Sequence, residues 1–165
     1  MNQQIKFKKN LILKRIIFIA MILVTFFTIF NFSAQNGKES GNVSHKVTTV
    51  IVKVVVKNEA SREKYIEKLE PVVRKLAHFS IYTVAGFAIM GMFCTFDIKN
   101  KYKLIFSLLI GVAYAVSDEI HQMYTPGRGP SIIDVGIDSL GVLTGIFIMI
   151  ILIILFENIS NWLKR

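Results

Sequence analysis

Residues Ile132 to Phe156 read IIDVGIDSLGVLTGIFIMIILIILF. At ~1.5 Å per residue a helix of this length covers roughly 37 Å, more than the ~30 Å hydrocarbon core of a bilayer. The run therefore predicts a membrane span. Its ionisable groups, Asp134 and Asp138, both fall in its opening turns, and the rest is almost wholly apolar.

Three more apolar blocks precede it, at about 16–32, 77–96 and 104–123. Four spanning helices in one membrane domain over residues 1–165 is the expected architecture: an all-α, polytopic membrane protein with an extracytoplasmic amphipathic segment, residues 33–75, after the first helix. Composition agrees. The chain has 165 residues, 53% of them hydrophobic, and a formal net charge of +9. A soluble nucleic-acid binder can be this basic but does not gather its apolar residues into unbroken blocks, so the basic surface points to membrane lipids and not to nucleic acid. One cysteine, Cys94, excludes a disulfide framework and a thiolate metal cage, and three histidines leave nitrogen ligands scarce. Chemistry must rest on carboxylates, His, Arg and hydroxyls.

The first block follows Lys6, Lys8, Lys9, Lys14 and Arg15 and could be a signal peptide, but Phe32 stands where cleavage wants a small side chain. It reads as an uncleaved anchor. Basic residues of the N-terminal tail, of the 97–103 turn (Lys99, Lys101, Lys103) and of the end (Lys164, Arg165) share one side of an even-numbered bundle, which predicts both termini in the cytoplasm of a multi-pass cell-membrane protein. The nine Lys/Arg of residues 33–75 count against that orientation. Within this segment Val43, Val47, Val50, Ile51 and Val54 fit a helical stripe, yet Val and Thr at this density also suit a strand. A helix lying on the outer leaflet is preferred, because a lone strand would leave backbone groups unpaired. Ser61 then begins a charged helix, and Pro71 is expected to open the second span.

Ionisable residues in apolar helices are costly and point to function. Here they converge near the extracytoplasmic interface. Asp118, His121 and Gln122 stand at i, i+3 and i+4 on helix three, with Glu119 off that face; both acids oppose the helix dipole near a C-terminus. Lys75, His78 and Tyr82 share a side of helix two. Asp134 can be read as half of a Ser131-x-x-Asp134 capping box; Asp138 lies one turn deeper, on a stripe continued by Gly141, Val142 and Gly145. The turn Pro126-Gly127-Arg128-Gly129-Pro130 sets a guanidinium among backbone amides, a candidate anion clamp. His78, Asp118, Glu119, His121 and Asp138 are thus the candidate catalytic groups, and Lys75, Tyr82, Gln122, Arg128 and Asp134 the candidate substrate contacts. His78, His121, Asp118 and Asp138 could also hold a divalent cation, but their spacing is not diagnostic, so metal and cofactor stay open. A purely structural reading, in which the cluster is ion-paired helix glue, stands beside the functional one.

The run Lys75-Leu76-Ala77-His78-Phe79-Ser80-Ile81-Tyr82, then Ser117-Asp118-Glu119-Ile120-His121-Gln122, then Gly127-Arg128 with Ser131-Ile132-Ile133-Asp134-Val135, Asp138 and Gly141, resembles the VanZ-like family, as does Phe32-Ser33-Ala34-Gln35 with Ser40 and Ser44. The resemblance runs from about Phe32 to Gly145. It implies a small polytopic bacterial membrane protein associated with low-level resistance to teicoplanin, a lipid-tailed glycopeptide, and it supplies no reaction. Two functions follow as expectations: lowering access of a lipoglycopeptide to its cell-wall target, or enzymatic action on an anionic lipid-linked or cell-wall-precursor head group.

Overall fold

Backbone amides and carbonyls have no water to bond inside a hydrocarbon layer, so apolar segments of this length fold as helices. The structure is a computed structural model that describes residues 2–162, and its elements are five helices: α1 (Asn2–Ala34), α2 (Gly37–Val55), α3 (Glu59–Cys94), α4 (Asn100–Gln122) and α5 (Ile132–Trp162). No strand occurs among the described residues. The class is all-α, and α1, α3, α4 and α5 are each long and apolar enough to cross a membrane. Lys164 and Arg165 lie outside the described residues.

The ambiguous valine segment is helix α2. Asn36 decides its start: its side chain accepts from the Glu39 amide at 2.8 Å, and Glu39 accepts in return from the Asn36 amide at 3.4 Å, a capping box that closes two otherwise open donors. α2 turns Ser44, Thr48 and Val52 toward α3 and leaves Val43, Val47, Val50, Ile51 and Val54 exposed in whole or in part. Ser44 Oγ donates to Glu70 Oε1 at 3.3 Å and His45 Nδ1 meets Glu70 Oε2 at 3.1 Å, while Arg62 Nε reaches the Val56 carbonyl at 3.0 Å. These contacts make α2 and the first half of α3 an antiparallel hairpin.

Pro71 does not open a span, contrary to the expectation from sequence; it sits inside one continuous helix, α3. The ring removes the amide that would bond Glu67, but Pro71 is exposed, so that carbonyl is not stranded in a packed interior. At ~1.5 Å per residue α3 is roughly 54 Å long, so its N-terminal part extends well past a ~30 Å core.

Packing is densest between α3 and α5, which run parallel. Gly86, Gly141 and Gly145 let the two backbones touch: a Cβ at these positions would collide with the carbonyls of Val142, Phe79 and Thr83 respectively. In membranes such close approach through small residues replaces the hydrophobic drive that water would supply. The same register buries Tyr82, Val142 and Ile146 completely. α1 closes the bundle through Tyr114, whose hydroxyl donates to the Phe26 carbonyl at 2.6 Å. At one end Arg15 bonds Thr95 through Nε at 3.2 Å and Nη2 at 3.0 Å, which puts the basic N-terminal stretch beside the 95–99 turn. The polar residues gather at the opposite end.

Candidate functional site

Parallel α3 and α5 present their first polar residues in matched order. Lys75 Nζ lies 3.0 Å from Asp134 Oδ1, and one turn deeper His78 Nδ1 lies 3.7 Å from Asp138 Oδ2. Below these rungs stands Tyr82, opposite Gly141. α4 adds Asp118 and Gln122, which face inward one turn apart: Gln122 Nε2 donates to Asp118 Oδ2 at 3.1 Å and to Ser33 Oγ of α1 at 3.3 Å. Ligand atoms of His78, Asp118 and Asp138 lie within 4.8 Å of one another. Asp138 is 1% exposed and Tyr82 0%, yet Asp138 Oδ1 and the Tyr82 hydroxyl have no hydrogen-bond partner. Orphaned buried polar atoms are costly and demand a reason.

Glu119 lies off this face, as its spacing predicts, but it is not idle. It is 6% exposed, and its Oε1 accepts from the Ser131 backbone amide, 2.6 Å away, at the entrance to α5. In an ordinary capping box the acid three residues on would take that amide. Here Ser131 Oγ still accepts from the Asp134 amide at 3.2 Å, while Glu119 serves the Ser131 amide and leaves the Asp134 carboxylate to Lys75. The sequence reads Asp134 as the acid that closes this box; its carboxylate pairs with Lys75 instead, and the closing acceptor comes from another helix.

The 123–131 turn is strapped from beneath by α1 and α2. Arg128 Nη2 donates to the Phe32 carbonyl at 3.1 Å, Thr125 Oγ1 to the Ser33 carbonyl at 3.3 Å, and the Gly37 amide to the Pro126 carbonyl at 3.0 Å. Gly127 has φ +76°, which disfavours a side chain, and the turn closes against Gly37. Arg128 is half-buried; burial and nearby Arg74 draw its pKa below the usual guanidinium value, and Asp118 and Glu119 oppose that shift. Its guanidinium remains a cation with donors to spare.

Two cavities meet at this end. A polar one of about 240 Å³ is lined by Arg74, Lys75, His78, Gln122, Arg128, Asp134 and Asp138. An apolar groove of about 180 Å³ runs between α1, α2 and α3, walled by Ile29, Phe32, Val43, Val47, Val73, Ala77 and Ile81. Arg74, His78 and Arg128 line both.

His121 stands apart from the His78–Asp118–Asp138 cluster. Its ring stacks on Phe30 of α1, centroids 4.7 Å apart, with Nε2 buried and unpartnered. Three helical residues turn through about 300°, so Asp118 and Gln122 can face α3 and α5 while His121 looks toward α1. Sequence reasoning also passed over Glu70, which ties Ser44 and His45 of α2 to α3 and lies 3.6 Å from Arg74. The only available signal was an acid one turn before Arg74.

Compared with known proteins, residues 17–155 match the model of one family, described as VanZ/LLP1. No curated protein and no solved structure matches the chain.

Proposed function

The chain belongs to the VanZ/LLP1 family, and from that membership we propose that it is a multi-pass protein of the bacterial cell membrane, with both termini in the cytoplasm, that lowers susceptibility to teicoplanin by binding a lipid-tailed amphiphile at its outward-facing polar end. One observation carries this reading: the polar cavity and the apolar groove adjoin and share Arg74, His78 and Arg128. A ligand with a polar head and an aliphatic tail fills both; a head group alone fills one. Its charged or amide-rich head would take donors from Arg128 and Arg74, and its tail would remove the groove's apolar walls from lipid and water.

A second reading, an enzyme acting on an anionic lipid-linked precursor, draws support from the unsatisfied Asp138 and Tyr82 beside His78 and Asp118. The two are separable in a sensitive Gram-positive host. The wild-type protein is expected to raise the inhibitory concentration of teicoplanin and leave that of vancomycin, taken as the comparison without a lipid tail, unchanged. Arg128→Ala, matched for abundance, is expected to lose the effect. Under binding, Asp118→Asn retains most of the protection, since its shape and one acceptor survive; complete loss at unchanged abundance would show that the carboxylate itself is needed and count against simple binding. Equal shifts for both drugs, or none for either, would remove the teicoplanin reading.

A further inference from the structure

The buried triad poses a problem that protein groups alone do not solve. Asp138 sits 1% exposed in the α3–α5 seam with Oδ1 bonded to nothing, and the hydroxyl of wholly buried Tyr82 is likewise without a hydrogen-bond partner. A protonated His78 would offset charge but would not satisfy these atoms, because Nδ1 stands 3.7 Å from Asp138 Oδ2, beyond a good hydrogen bond, and Oδ1 stays open. Neither nearby cation pairs with Asp138: Lys75 pairs with Asp134, and Arg128 directs Nη2 to the Phe32 carbonyl. An uncompensated carboxylate this deep is strongly unfavourable.

We propose that His78, Asp118 and Asp138 bind a divalent transition-metal ion, Zn²⁺ or Mn²⁺, whose remaining position opens to the polar cavity. One imidazole and two carboxylates are the mixed donor set such ions take. Their ligand atoms already lie within 4.8 Å of one another. Tetrahedral ligands at ~2.0–2.2 Å from an ion stand about 3.3 Å apart, so the set closes by small side-chain rotations. The surroundings suit the role. Gln122 fixes Asp118 through Oδ2, the glycine contacts hold α3 against α5, and His78 and Asp138 both line the cavity, which gives the ion a path and a vacant side. His121 is excluded from the site because it stacks on Phe30. The ion would account for the orphaned carboxylate whatever amphiphile occupies the groove, so this proposal stands independently of the teicoplanin reading.

The test uses the full chain, purified in detergent without a polyhistidine tag, stripped with a chelator and then equilibrated with Zn²⁺ or Mn²⁺ alone. Metal content and thermal stability are both read. The expected result is about one ion per chain with a raised melting temperature, and an affinity reduced at least about tenfold in His78→Gln and Asp138→Asn but not in Asp97→Asn, whose side chain lies on the exposed far turn. A wild-type chain that binds neither ion above buffer level, with an unmoved melting temperature, would overturn the site. So would folded Asp138→Asn and His78→Gln proteins that bind as well as the wild type. The wild-type arm decides alone if either variant does not fold.

Discussion

Gly145→Val is expected to leave almost no folded protein in the membrane, the largest effect of any single change considered. A Cβ at this position would overlap the Thr83 carbonyl and press on the Phe87 amide, both backbone, so no side-chain rotation relieves it. Overpacking against movable side chains costs about 1–3 kcal/mol; forcing two helix backbones apart costs more, and it also opens the seam at Gly86 and Gly141. A typical domain has only ~5–15 kcal/mol to lose. Detergent-solubilised yield and monodispersity check this directly. Gly136→Val, on the same helix with open space where its Cβ would go, should behave as wild type.

Glu119→Ala is expected to be the most damaging change at the polar end that does not touch a cavity wall. It strips the Ser131 amide of its acceptor at the entrance to α5 and leaves a hole in a region 6% exposed. An unsatisfied buried donor costs about 1–3 kcal/mol, and more where its partner was charged. Because Asp134 is then the nearest alternative cap, the Lys75–Asp134 pair at 3.0 Å should also be drawn apart. Glu119→Gln keeps an acceptor oxygen and should restore both stability and teicoplanin protection in large part. That contrast separates a positioning role from proton transfer, which the glutamine could not perform. Thermal stability and susceptibility, measured side by side on the two variants, report it.

The spans were readable because the Ile132–Phe156 run has no competing interpretation: its length and apolarity leave only a helix across a bilayer. The inward stripe of Asp138, Gly141, Val142 and Gly145 was readable for a related reason, since small residues at helical spacing in such a run mark a close helix neighbour. Helix α2 was harder, because valine at this spacing serves strand and helix alike; the deciding group lay outside the stripe, in the Asn36–Glu39 box. Pro71 misled, since proline is usually a boundary and here lies on an exposed face of α3, where a lost hydrogen bond costs least. At the site, intervals along one helix placed Asp118 with Gln122 correctly. They could not separate His121 from that pair, because its direction depends on where α1 lies, and α1 reaches it through Phe30. Glu119's acceptor role was equally hidden: its partner, the Ser131 amide, belongs to another helix and carries no side-chain signature.

Direct ligand binding tests the central claim most closely. Fluorescent teicoplanin and vancomycin would be titrated against the full-length protein in lipid nanodiscs, beside empty nanodiscs and the Arg128→Ala variant. A shared polar and apolar site predicts saturable teicoplanin binding above the lipid background, weak vancomycin binding, and a loss of about tenfold or more in Arg128→Ala, the usual cost of removing a charged hydrogen-bond donor. Teicoplanin binding no stronger than to empty nanodiscs, or equal for the two drugs and indifferent to Arg128, would contradict it.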